Sequence, residues 1–193
     1  MAQAPILLQL PIEVNVECIA VDQGVQLEKG TPKLYAAREC HRFTDKGNMC
    51  TQHSQELLGL RVKASNIPYG GDGLFASTRD FQKGDVICQY EGRRMTRAAF
   101  NNNPSAYAAS IYDGSVIDAR RTSDGFGRYA NAAQRKKDVN AQIISEAKLT
   151  RGGSGKKLFL QATKRINDGD EILLAYGAQY HRLNPLPPGA RAV

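Results

Sequence analysis

The chain has 193 residues, 41% hydrophobic and 23% charged, a globular balance with room for one domain and a short extension. No apolar run approaches the roughly 18 residues that span a bilayer, and the stretch from Ala4 to Ile12 holds two prolines and Gln9 with no basic lead, which argues against a secretory signal. Four irregularly spaced cysteines (Cys18, Cys40, Cys50, Cys88) argue against a disulfide framework and for a reducing compartment, while a net charge of +7 fits an anionic partner or a plain solvated face.

Residues 1–58 mix Gly, Pro and charge without a clear period, and we read them as an N-terminal extension packing on the domain C-terminal to them. They contain Cys40, His41, Cys50 and His53, residue types that ligate zinc. The spacing fits no standard finger, and adjacent Cys and His rarely ligate together, so no metal is expected.

Residues 59–182 are read as one domain. Short strand-like runs succeed one another: Leu60 to Ala64, Leu74 to Ala76 and Val86 to Tyr90. One helix is expected from Thr96 to Asn102, with Thr96 as N-cap. Strands resume at Ala106 to Tyr112, Val116 to Asp118, Ala141 to Ser145, Leu158 to Ala162 and Glu171 to Tyr176. Gly- and Asp-rich clusters at 70–73, 83–85, 113–114, 152–155 and 168–170 supply the turns. Many short strands with one helix exclude a doubly wound fold and point to a mostly β, β-rich α+β domain. The tail, 183–193, is rich in proline and small residues and is expected to lie extended on the surface or to be mobile.

Four pieces carry chemistry. The first is Tyr69-Gly70-Gly71-Asp72-Gly73-Leu74-Phe75-Ala76, whose glycines let backbone approach a ligand but which lacks the Lys-Ser or Lys-Thr of a phosphate loop. The second runs from Gly84-Asp85 to Tyr90-Glu91-Gly92. The third is Gly127-Arg128-Tyr129-Ala130-Asn131-Ala132, with Asn140-Ala141 further on. The fourth is Asp168-Gly169-Asp170-Glu171-Ile172-Leu173-Leu174-Ala175-Tyr176-Gly177.

In this order the four pieces resemble the SET domain of protein lysine methyltransferases, over roughly residues 60 to 182. The resemblance implies several small curved sheets and a C-terminal pseudoknot, with S-adenosylmethionine and the substrate lysine entering from opposite faces. It implies that Gly71, Asp72, Gly73, Tyr107, Arg128, Asn131 and Ala132 bind the cofactor. Tyr90, Leu174 and Tyr180 would line the lysine channel, and Tyr176 would be the catalytic tyrosine. The substrate class it suggests is a histone tail or nucleosome, which would make the protein a nuclear chromatin regulator; no membrane partner is expected. Where relatives carry Phe or Tyr two residues before the catalytic tyrosine, Leu174 has no hydroxyl, which permits more than one methyl transfer unless Tyr90 compensates.

Two departures stand out. The usual Asn-His-Ser is Asn131-Ala132-Ala133, and the segment from Asn131 to Asn140 is long and carries Arg135-Lys136-Lys137, a solvated loop or a contact for DNA phosphates. The cysteine-rich segment that comes after the catalytic tyrosine in many relatives is missing, since no cysteine lies beyond Cys88. The competing expectation is a degenerate SET module that holds peptide or nucleic acid without turnover.

Overall fold

The computed structural model describes residues 46–149 and 155–176, together with short strands between 16 and 44. Those strands pair antiparallel in nested fashion. β1 (Val16–Glu17) pairs with β6 (Phe43–Thr44), β2 (Val21–Asp22) with β5 (Arg38–Glu39), and β3 (Val25–Glu28) with β4 (Thr31–Leu34). A short helical stretch comes next, α1 (Thr51–His53) running into a π-turn (Ser54–Leu58) that Gly59 ends in the left-handed region. The sequence predicts no helix here. Six of its eight residues are polar and the two fully buried ones, His53 and Ser54, are polar too, so no apolar period marks it.

Four small sheets make up the rest, as the resemblance implies. β7 (Leu60–Ala64) and β8 (Asp72–Ala76) form an antiparallel hairpin. β8 is covered on both faces, with Gly73 to Ala76 all buried. β9 (Val86–Tyr90), β14 (Ala141–Ser145) and β15 (Leu158–Ala162) form a second sheet with β15 central. Leu158, Leu160 and Ala162 of β15 alternate inward.

The third sheet places β12 (Val116–Asp118) between β10 (Arg93–Met95) and β11 (Ala108–Ser110). Between β10 and β11 lies α2 (Arg97–Asn102), where the Thr96 side chain accepts a hydrogen bond from the Ala99 amide as an N-cap does. β11 is shorter than the expected run to Tyr112, because a turn closed by Gly114 N–H on the Ile111 carbonyl lifts Tyr112 into solvent.

The fourth sheet is parallel. β13 (Asn131–Ala132) pairs with β16 (Leu173–Leu174), some forty residues away in sequence. The expected strand from Glu171 to Tyr176 is therefore real only at its centre, with an isolated bridge from Glu171 to Phe75 before it. A last short helix, α3 (Glu146–Leu149), directly succeeds β14. Leu60, Leu74, Phe81, Leu160, Ile166 and Ile172 form one core between the sheets. Among the described residues no helix is long and apolar enough to cross a membrane.

Candidate active site

The glycine-rich hairpin is held from below by one buried acid. Ser65 Oγ donates to Glu171 Oε1 at 2.5 Å and the Asn66 amide donates to Oε2 at 2.8 Å. Glu171 is only 6% exposed. A Cβ on Gly73 would collide with that same carboxylate, so the strand can lie this close only as glycine. Gly71 sits at φ +62 with open space where a side chain would be, leaving its backbone accessible. Asp72 is reached from the extension: Lys46 Nζ lies 3.0 Å from Oδ1 and 2.9 Å from Oδ2.

Asn131 joins this hairpin to the C-terminal segment. Its Nδ2 donates to the Asp72 carbonyl at 3.0 Å, while its backbone pairs with Leu173. On the other side of the segment, Asn140 donates from Nδ2 to the Glu171 carbonyl and accepts from the Leu173 amide, both at 2.7 Å. The segment from Glu171 to Leu174 is thus gripped by both ends of the 131–140 loop. Ala132 and Ala133 do not spoil this. The Ala133 amide donates to the Leu174 carbonyl at 2.9 Å, and the buried Ala133 methyl fits where a larger side chain would have to be housed. The segment delivers Tyr176, whose hydroxyl donates to the Ala130 carbonyl at 2.6 Å.

The third group lies behind β9. Tyr90 is buried and its hydroxyl donates to the Tyr107 carbonyl at 3.0 Å. A side chain on Gly127 would press on the Tyr90 ring. The Arg128 guanidinium stacks 4.2 Å from the Tyr107 ring centroid and 4.7 Å from that of Tyr129. Arg128 is 4% exposed, and its Nε donates to the Ala119 carbonyl at 2.7 Å. One of its terminal nitrogens is buried with no hydrogen-bond partner among the described residues. A buried, permanently charged donor left unspent is costly, and an anionic ligand group would satisfy it.

Beside Tyr90, Glu91 accepts from Asn48 Nδ2 at 2.8 Å and packs on Gly125. Burial pushes its carboxyl above the ordinary carboxylate range; the Asn48 hydrogen bond opposes this and the charge of Asp124 adds to it. Gly47 packs on the Phe126 ring and donates to the Thr122 carbonyl, so residues 46–48 lie along this edge of the site.

Gly71, Asp72, Gly73, Asn131, Ala132, Leu174 and Tyr176 are therefore linked by successive contacts, and Tyr90, Tyr107 and Arg128 form a second group joined to them through the chain from Gly127 to Asn131. Tyr180 lies outside the described residues, as do the tail, Cys40 and His41. Cys50 and His53 are buried neighbours, Sγ to Nδ1 3.5 Å, and no group of three metal-ligating side chains occurs among the described residues. Glu171, Asn140 and Lys46 are parts of the site to which the sequence alone assigns no role. The signal for Glu171 is present in the fourth motif, an acid flanked by apolar residues that must be buried and therefore partnered.

The SET-domain family model matches residues 71–177, more than half of the chain, and the chain belongs to the SET-domain family. SET domains are generally protein lysine methyltransferases. No curated protein matches the chain.

Proposed function

We propose that this protein transfers a methyl group from S-adenosylmethionine to the side-chain amine of a protein lysine, with histone tails as the substrate class. The observation that carries the reading is the position of Tyr176, its hydroxyl pinned on Ala130, one residue from the Asn131 that holds the glycine-rich hairpin. When bound, the cofactor supplies an electrophilic methyl on a sulfonium. Its carboxylate suits the unspent donor of Arg128, and the open backbone at Gly71 suits its amino-acid end.

The Tyr176 hydroxyl has one proton, and it is given to Ala130. Its oxygen therefore faces a ligand with lone pairs only, able to accept from an amine N–H and to orient the nitrogen. Tyr90 is in the same condition, its proton given to Tyr107. Neither tyrosine is a general base. A lysine brought between Tyr90, Leu174 and Tyr176 would lose hydration, which disfavours its charged form; its proton would leave to solvent, and the lone pair needed for attack would then be free. The histone assignment rests on the family's habits rather than on any residue here.

The test is transfer of labelled methyl to core histones and to nucleosomes, with Tyr176→Phe beside the wild type. We expect label on one histone, a drop of roughly 100-fold or more in the variant, and unchanged cofactor affinity by calorimetry. Equal turnover in the variant removes Tyr176 from the reaction. Cofactor binding without transfer to histones points to another protein substrate, and no cofactor binding points to a module that only holds a ligand.

A further inference from the structure

The loop whose two ends grip the C-terminal segment carries a cationic lobe that the methyl-transfer chemistry does not use. Residues Lys136–Asp138 form a 3₁₀ turn that projects Lys136 and Lys137 into solvent. Lys164, just beyond β15, reaches across and donates from Nζ to the Lys137 carbonyl at 2.5 Å. The turn and the end of β15 are thereby fastened together. Arg135 is the fourth cation, and Asp138 is the acid beside it, bound by Arg135 Nε at 2.6 Å. The charges of Lys137 and Lys164 also act on Asp138, holding its carboxyl below the ordinary range together with the larger effect of the Arg135 hydrogen bond.

Elsewhere on the described surface several cations are spent. Arg165 pairs with Asp80, Arg94 with Asp113, Arg120 with Asp118 and Lys46 with Asp72. Among the described residues, Lys136, Lys137 and Lys164 pair with no carboxylate. Lys136 and Lys137 on the turn, with Lys164 fastened to it from beyond β15, make a local excess of positive charge at the surface.

The neighbourhood indicates the kind of anion. A protein partner needs an apolar centre to its interface, and single-stranded nucleic acid needs aromatic platforms. The exposed large apolar side chains of the described surface are Leu57, Tyr69, Val86, Tyr112 and Ile143, and none of them belongs to the turn itself. A duplex backbone needs only spaced cations. We infer that Lys136, Lys137 and Lys164 form a docking surface for the phosphate backbone of duplex DNA. Because this loop also grips the segment bearing Tyr176, DNA held there lies against the same unit that carries the proposed active site. The inference does not depend on turnover.

The experiment is fluorescence anisotropy of a labelled 20-base-pair duplex against the full chain, over a series of salt concentrations. The triple variant Lys136→Gln, Lys137→Gln, Lys164→Gln is compared with the wild type. Three phosphate contacts contribute a slope of about −2.7 to log K against log salt, or roughly 40-fold in affinity between 50 and 200 mM salt. We expect the variant to lose that part of the slope while its melting temperature and its transfer to free peptide stay put. A triple Lys→Arg variant, which preserves charge, should keep the slope; if the glutamine variant misfolds, Lys136→Glu alone should flatten it by about one contact. An unchanged slope in the glutamine variant overturns the inference. So does tighter binding of single-stranded DNA or polyglutamate than of the duplex. Loss of methyl transfer with intact DNA binding would sink the methyltransferase reading alone.

Discussion

At the scale of single residues, the hairpin depends on a glycine and an acid that fit each other. Gly73 is missing its Cβ where Glu171 needs room, and Glu171 is buried because Ser65 and Asn66 satisfy its charge. Gly73→Ala forces that carboxylate away from its donors. We expect a loss of about 2–4 kcal/mol of stability, since a close clash and weakened charged hydrogen bonds add. Glu171→Asp shortens the side chain by one methylene. Alone it stretches the same bonds, but in the Gly73→Ala background it makes the space the new methyl lacks. A double-mutant cycle by urea unfolding should therefore show the two changes to be less than additive. Strict additivity would mean that the two side chains do not meet as described.

At the scale of elements, β16 is two residues long and cannot hold the C-terminal segment by ladder bonds alone. Asn140 supplies the rest, with a donor to one carbonyl and an acceptor for one amide of the same segment. Asn140→Ala leaves both backbone groups buried and unpaired, at about 1–3 kcal/mol each. Hydrogen exchange should show the Leu173 amide losing protection in this variant while β14 and β15 keep theirs. Activity should fall with it, since Tyr176 is carried on that segment. Protection retained at Leu173 would place the lock elsewhere.

The same element shows how far the fold is legible in the sequence. The bounds of β7, β9, β12, β14 and β15 coincide with short strand-like runs read from the residues themselves, a local signal. β16 is shorter than its apolar run suggests, because its pairing is parallel and its partner lies far back in the chain, so local pattern gives the run but not the paired length. Asn131 and Tyr176 are legible through motif order. Asn140 stands in the third motif without a role, and its role exists only once Glu171 and Leu173 arrive on its far side. Lys46 sits in a stretch without period, and its meeting with Asp72 comes from chain folding rather than spacing.

At the scale of the whole molecule, residues 46–48 join the extension to the domain through Lys46 to Asp72, Gly47 to Phe126, and Asn48 to Glu91. The last of these makes the junction sensitive to pH. A carboxyl raised above its ordinary value of 4.5 binds its proton more tightly in the folded chain than in the unfolded one. Its contribution therefore favours folding at low pH and is lost as pH rises through the window just above that value. Asp124 is raised in the same sense, chiefly by burial, so the two acids near Gly125 act together. Glu91→Gln keeps an acceptor for Asn48 and removes the charge. The melting temperature of this variant, less that of the wild type, should be small near about pH 4, where Glu91 is largely protonated in both states, and should become more positive toward about pH 7. Other carboxylates, such as Asp80 and Asp113, are held below their ordinary range by Arg165 and Ser115 and pull the wild-type curve the opposite way. They are common to both proteins and largely cancel in the difference. A difference that stays level across the range would mean that Glu91 is as well solvated in the folded chain as out of it, and that the junction is held by Lys46 and Gly47 alone.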